Sequence, residues 1–241
     1  MSSRTLLLLA IVAVAVAWQL PHGQQALYPL SLLATVAHEL GHGVAALLVG
    51  GDFERLELHA DGSGMAHWRG DPGPMARAFV AAGGLLGPSL AALVLLLASR
   101  LPRMARVLIA LLAVLALAAL VLWARNAFAI AWLAAVAVAL AAAAWLLPGA
   151  AAAFLLNLIA AVLALSWLRD LDYMFSATAV VGGVAAPSDS ALIAAALFPP
   201  YWLWGGVVAA ASLTLLAIGL WVALRPPGPS PAGDSRAARE P

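Results

Sequence analysis

Long apolar stretches separated by short polar breaks dominate the chain, at residues 5–20, 29–49, 77–98, 107–124, 127–147, 150–168 and 191–224. A bilayer-spanning helix needs roughly 17–25 such residues, so the pattern predicts six or seven transmembrane helices. The last stretch exceeds one span, and Phe198-Pro199-Pro200 suggests an interfacial beginning to it. The first follows Arg4 as a signal peptide would, but no small-x-small cleavage site comes after it, which favours a retained span. Between the second and third stretches, Leu56, Leu58 and Ala60 alternate with Arg55, Glu57 and His59 before Asp61-Gly62-Ser63-Gly64. A period of two followed by turn residues predicts a β-hairpin within residues 50–74. The expected fold is thus an all-α polytopic membrane protein with one small surface hairpin, a single domain over 1–224. The Pro/Gly/Ser/Arg-rich segment 225–241 reads as a disordered tail.

Composition sharpens this picture. The 241 residues are 65% hydrophobic and 10% charged, with mean hydropathy +1.01, far from the roughly 25% charged residues of soluble domains. The chain is therefore an integral membrane protein with the lipid bilayer as its solvent. A formal charge of +1 and scattered arginines give no basic face for nucleic acid. The Arg-only, Ala-rich composition suits a GC-rich bacterium, hence a bacterial plasma membrane. The arginines divide evenly between alternate loops and leave the orientation open. With no cysteine, any metal must be held by His, Asp, Glu or Asn.

One apolar stretch carries ionisable groups. In "ATVAHELGHGVAALLVGG" (34–51), His38 and His42 lie four apart, and Glu39 is the only acidic residue in the first six stretches. Residues at i and i+4 share a helix face, so both imidazoles can address one point, with Glu39 about 100° round the helix. A charge in mid-membrane costs about 2.5–3.5 kcal/mol on insertion scales, and a bound dication offsets it. This spacing is that of a hydrolytic zinc site, with His38 and His42 as ligands and Glu39 as general base. The other readings of the trio are a metal-free polar cluster lining a proton or ion path, and a non-catalytic membrane protein that binds metal or protons there for transport or keeps the scaffold for binding a partner. His22, His59 and His67 read as surface histidines. Gly83, Gly84 and Gly87 in "AAGGLLGPSLAAL" (81–93) read as a close helix contact with a kink at Pro88, and Asn126 and Asn157 as interhelical hydrogen bonders.

HELGH (38–42), the Gly-rich hairpin after it, GGLLGPSL (83–90), WARNAF (123–128) and SDSALIAAALFPPYWLW (188–204) together resemble the site-2 protease family of intramembrane zinc metalloproteases, in its compact bacterial peptidase-like branch. The resemblance implies a zinc metalloendopeptidase acting on a membrane-protein substrate, with an Asp as third zinc ligand. The family's usual Asn-x-x-Pro…Asp-Gly run is absent. Asp170, Asp172 and Asp189 are the aspartates left, Asp189 being favoured over Asp170, although Asp189 also suits a helix N-terminus.

Overall fold

The computed structural model describes residues 2–71, 73–198 and 200–225; the segment read as a tail lies almost wholly outside them. Helix α1 (Ser3–Gln19) leads into α2 (Gly23–Leu48), the hairpin β1 (Asp52–Leu58) and β2 (Gly64–Arg69), then α3 (Pro74–Ala98), α4 (Ala105–Leu122), α5 (Ala127–Leu146) and α6 (Gly149–Arg169). A one-turn helix α7 (Leu171–Met174), a second hairpin β3 (Thr178–Val181) and β4 (Val184–Pro187), the short helix α8 (Asp189–Leu197) and α9 (Tyr201–Leu224) complete it. Helices α2 to α6 and α9 are each long and apolar enough to cross a membrane; α1 is apolar but shorter, at 17 residues.

Residues 107–168 look uniform as sequence, yet the structure separates their roles. In α6, 61% of the best apolar window is buried, against 22% in α5 and in α9. Helix α6 is the pillar of the bundle. Its Ala152, Ala153, Ala160, Ala161 and Ala164 are all buried, and such small residues let neighbouring helices close in, where dispersion does the work that water-driven burial does elsewhere. The expected interhelical hydrogen bond at Asn157 is not seen: the residue is buried in α6, and its Oδ1 has no partner among the described residues.

The stretch 191–224 is not one span. It breaks at Phe198, whose φ of 42° no continuing helix adopts. The short piece before the break, α8, turns inward with Asp189, Ser190 and Ile193 buried. Pro88 stays inside α3 without ending it. The glycines before it sit against α2: a Cβ on Gly83 would meet the Ala45 side chain and the Gly41 carbonyl, and one on Gly87 would meet the Ala37 carbonyl.

The first hairpin pairs Asp52 with Arg69 through Leu58 with Gly64, with an irregularity between Phe53 and Arg55. As its alternation predicts, Leu56 and Leu58 are fully buried. Its outer edge is closed by the α4–α5 connection. The Leu56 amide donates to the Trp123 carbonyl at 2.7 Å, and the Arg125 amide to the Leu56 carbonyl at 3.2 Å. Asn126, read from sequence as an interhelical bonder, has another role. Its Nδ2 donates to the Leu58 carbonyl at 2.6 Å, while its Oδ1 accepts from the Leu58 amide at 3.3 Å and caps α5 through the Ala129 amide at 3.2 Å.

Losing a helix cap and a pair of strand hydrogen bonds together should cost about 2–3 kcal/mol. Asn126→Ala is expected to lower the melting temperature of the detergent-solubilised protein. Asn126→Asp, which keeps the cap acceptor but loses the donor, should fall between it and wild type.

Candidate metal centre

His38, Glu39 and His42 sit in the second half of α2, where apolar residues flank them on both sides along the chain. Asp189 arrives from 151 positions away, in the first turn of α8. Its approach depends on the residue before it. Ser188 takes the capping duty, its Oγ accepting from the Ala191 amide at 3.2 Å and donating to the Ser176 carbonyl at 2.5 Å. The Asp189 side chain is thereby free to point across the bundle.

There it meets both histidines. His38 Nε2 lies 2.9 Å and His42 Nε2 3.3 Å from Asp189 Oδ2, and the two Nε2 atoms are 3.2 Å apart. Among the described residues this is the one cluster of three metal-ligating side chains close enough to share an ion. Zinc bonds of about 2.0–2.1 Å put tetrahedral donors about 3.3 Å apart, close to the 2.9–3.3 Å that separate these atoms. The chemistry of the set agrees. The Val80 carbonyl is 2.9 Å from His42 Nδ1 and, as an acceptor only, calls for a proton on that nitrogen, so a neutral His42 presents a lone pair at Nε2, toward His38 and Asp189. A dication is what two imidazole lone pairs and a carboxylate have in common, and the backbone acceptor behind His42 is the support metal-binding histidines usually have.

Of the aspartates weighed from sequence, Asp189 alone joins the cluster. Asp170 ends α6 and, with Asp172, lines a cavity shared with His38 and Glu39. The other histidines stand elsewhere. His22 lies 2.7 Å from Gln25 Oε1, His67 is opposite Arg55 and beside Glu57, and His59 packs against the tip of the second hairpin at Gly182.

Two glycines keep the machinery in place. A Cβ on Gly84 of α3 would overlap the His42 imidazole, and one on Gly64 would stand 2.7 Å from Glu39 Cγ and 2.8 Å from its Oε1. The α2–α3 contact read from the glycine spacing is thus also the back wall of the site. Glu39 is only 5% exposed and borders two cavities. One, of about 940 Å³, is lined by polar groups including Gln25, Tyr28, Thr35, Ser166 and Asp170. The other, of about 380 Å³, runs between β2 and the β4–α8 segment past His42 and Asp189.

The second hairpin, which the hydrophobic pattern did not suggest, covers this region. Its signal was present: Gly182-Gly183 between Thr178–Val181 and Val184 is a two-residue hairpin turn, and both glycines have the positive φ such turns require, 54° and 81°. The hairpin tips touch, the Gly182 amide donating to Ser63 Oγ at 3.0 Å. Ser63 is in turn held by Asp61, whose carboxyl lies below the usual range because the Ser63 hydroxyl and amide donate to it. Tyr173 was also missed; it lines both cavities and touches Asp189.

Gly84→Ala is expected to abolish stable divalent-metal retention, measured as bound metal after gel filtration. Gly206→Ala, with open space at its Cβ position, should leave retention unchanged.

The Peptidase M50B-like family model matches residues 7–219. No curated protein and no solved structure matches the chain. The match spans every helix that bears the site, from α2 to α8, and the chain therefore belongs to the Peptidase M50B-like family, which is related to the site-2 proteases.

Proposed function

We propose that the protein is an intramembrane zinc metalloendopeptidase that hydrolyses a peptide bond in or near a transmembrane segment of another membrane protein, in a bacterial plasma membrane. The observation that carries this reading is the convergence of His38, His42 and Asp189 within 4.8 Å of one another, with the buried carboxylate of Glu39 one residue along the same helix. His38, His42 and Asp189 would hold the ion. Zinc bound there would supply a Lewis acid that polarises the scissile carbonyl and lowers the pKa of the attacking water.

The remaining steps belong to the chain's own groups. Glu39 accepts the proton of the attacking water and delivers it to the leaving amine nitrogen, the general acid–base role its place at the wall of both cavities supports. The polar cavity gives water a route from the α1–α2–α6 side. The narrower one gives the peptide a place beside β2. A helical substrate hides its carbonyls in hydrogen bonds, so it must be locally extended before attack. Strand addition to β2 would hold it so. The β1 edge is taken by Trp123 and Arg125, whereas among the described residues no strand pairs with the far edge of β2.

Glu39→Gln should retain one zinc per chain and lose cleavage of a membrane substrate by about two to four orders of magnitude; full cleavage by this variant would sink the assignment. Zinc stoichiometry after gel filtration separates the aspartates, Asp189→Ala being expected to fall well below one zinc per chain, with only weak residual binding, and Asp170→Ala to keep one. Wild type that holds zinc, moves it across liposome membranes and cleaves no membrane peptide would instead favour transport on the same scaffold.

A further inference from the structure

The metal reading makes Asp189 indispensable, yet an aspartate on the first turn of a nine-residue helix has two rotatable side-chain bonds with which to turn away. Something must hold it. The neighbouring Ser188 is spent on the helix cap and on the Ser176 carbonyl. The group that does reach Asp189 is Tyr173, whose phenol donates to Oδ2 at 2.9 Å and accepts from the Asp189 amide at 3.2 Å. One hydroxyl thus closes a ring with the backbone and the side chain of a single residue. Because the amide occupies the acceptor side of the phenol oxygen, its proton is directed at the carboxylate. The oxygen it grips is the one that faces both histidines.

Tyr173 is itself firmly placed. It is carried by α7, whose Met174 is buried and whose backbone lies against Gly205 of α9. The 176–177 backbone is tied to Ser188 by the Ser188 amide donating to the Ala177 carbonyl at 3.2 Å. Its ring meets His38 edge-on, with centroids 6.1 Å apart. A purely packing role would not call for a hydroxyl at that spot, since the apolar neighbours of α7 are served equally by phenylalanine.

We infer that Tyr173 is the positioning residue of the metal centre, setting the Asp189 carboxylate in the orientation that completes the His38–His42 pair. The inference rests on the zinc reading above. Partners behind the ligands of a metal site commonly contribute about 10–100-fold in affinity. Tyr173→Phe, which removes one oxygen and keeps the ring, is therefore expected to weaken zinc binding by about that factor in chelator competition. It should also shift the visible absorption bands of the cobalt-loaded protein, because the carboxylate geometry changes. The metal-free melting temperature should stay close to wild type. In an Asp189→Ala background the same substitution should change residual metal affinity no further, since the group it acts through is gone.

Unchanged zinc affinity and an unchanged cobalt spectrum in Tyr173→Phe would overturn the inference and leave the metal site standing. A large fall in the metal-free melting temperature with the cobalt spectrum intact, or equal losses in both backgrounds, would make Tyr173 a structural residue and overturn it too. Wild-type protein that binds neither zinc nor cobalt would remove the metal reading itself, and this inference with it.

Discussion

A carboxylate and two imidazoles on one membrane helix, facing a second carboxylate from far along the chain, are the constraint around which the rest of the molecule is arranged. Glu39 and Asp189 are both almost fully buried, in a protein whose surroundings offer little water. Isolated charges so placed would be expelled, neutralised or left to destabilise the bundle. They persist because each is near the others. Asp189 lies against His38 and His42, and Glu39 stands at the edge of a polar cavity.

Meeting that constraint needs close approach from several directions. Helix α3 comes near enough to offer the Val80 carbonyl to His42 only because Gly83, Gly84 and Gly87 carry no side chains into α2. On the opposite side, β2 comes close to Glu39 because Gly64 is bare. Helix α8 delivers Asp189 because Ser188 starts the helix and Phe198 ends it after nine residues. The central pillar, α6, then holds α1, α2, α3 and α4 together through its buried alanines.

The same arrangement divides the space around the site. Cavities on either side of His38, Glu39 and Tyr173 differ in size, one of about 940 Å³ reaching toward α1 and α6, the other of about 380 Å³ between β2 and the β4–α8 segment. In the hydrolytic reading proposed above, the larger side would admit water and the smaller one an extended peptide. The touching hairpin tips, Gly182 on Ser63, lie beside the region where both cavities meet.

Local pattern alone determined much of this protein. Apolar runs fixed the helices because a bilayer demands satisfied backbones over a set length, and alternation around Leu56 and Leu58 fixed the first hairpin because only a half-buried strand has that period. His38, Glu39 and His42 were legible as a trio because four residues is one helical turn, a distance that sequence measures directly. The third member was only partly so. The sequence favoured Asp189 over Asp170 without separating them by any local spacing, and the cap at Ser188 is what leaves the Asp189 side chain free to meet the histidines. Asn126 likewise looked like any polar residue between helices, and its grip on Leu58 exists only because the hairpin folds back onto the α4–α5 connection. Spacing along one helix is a local quantity, readable residue by residue; convergence across 151 positions is decided by how helices pack, and packing is a property of the whole chain.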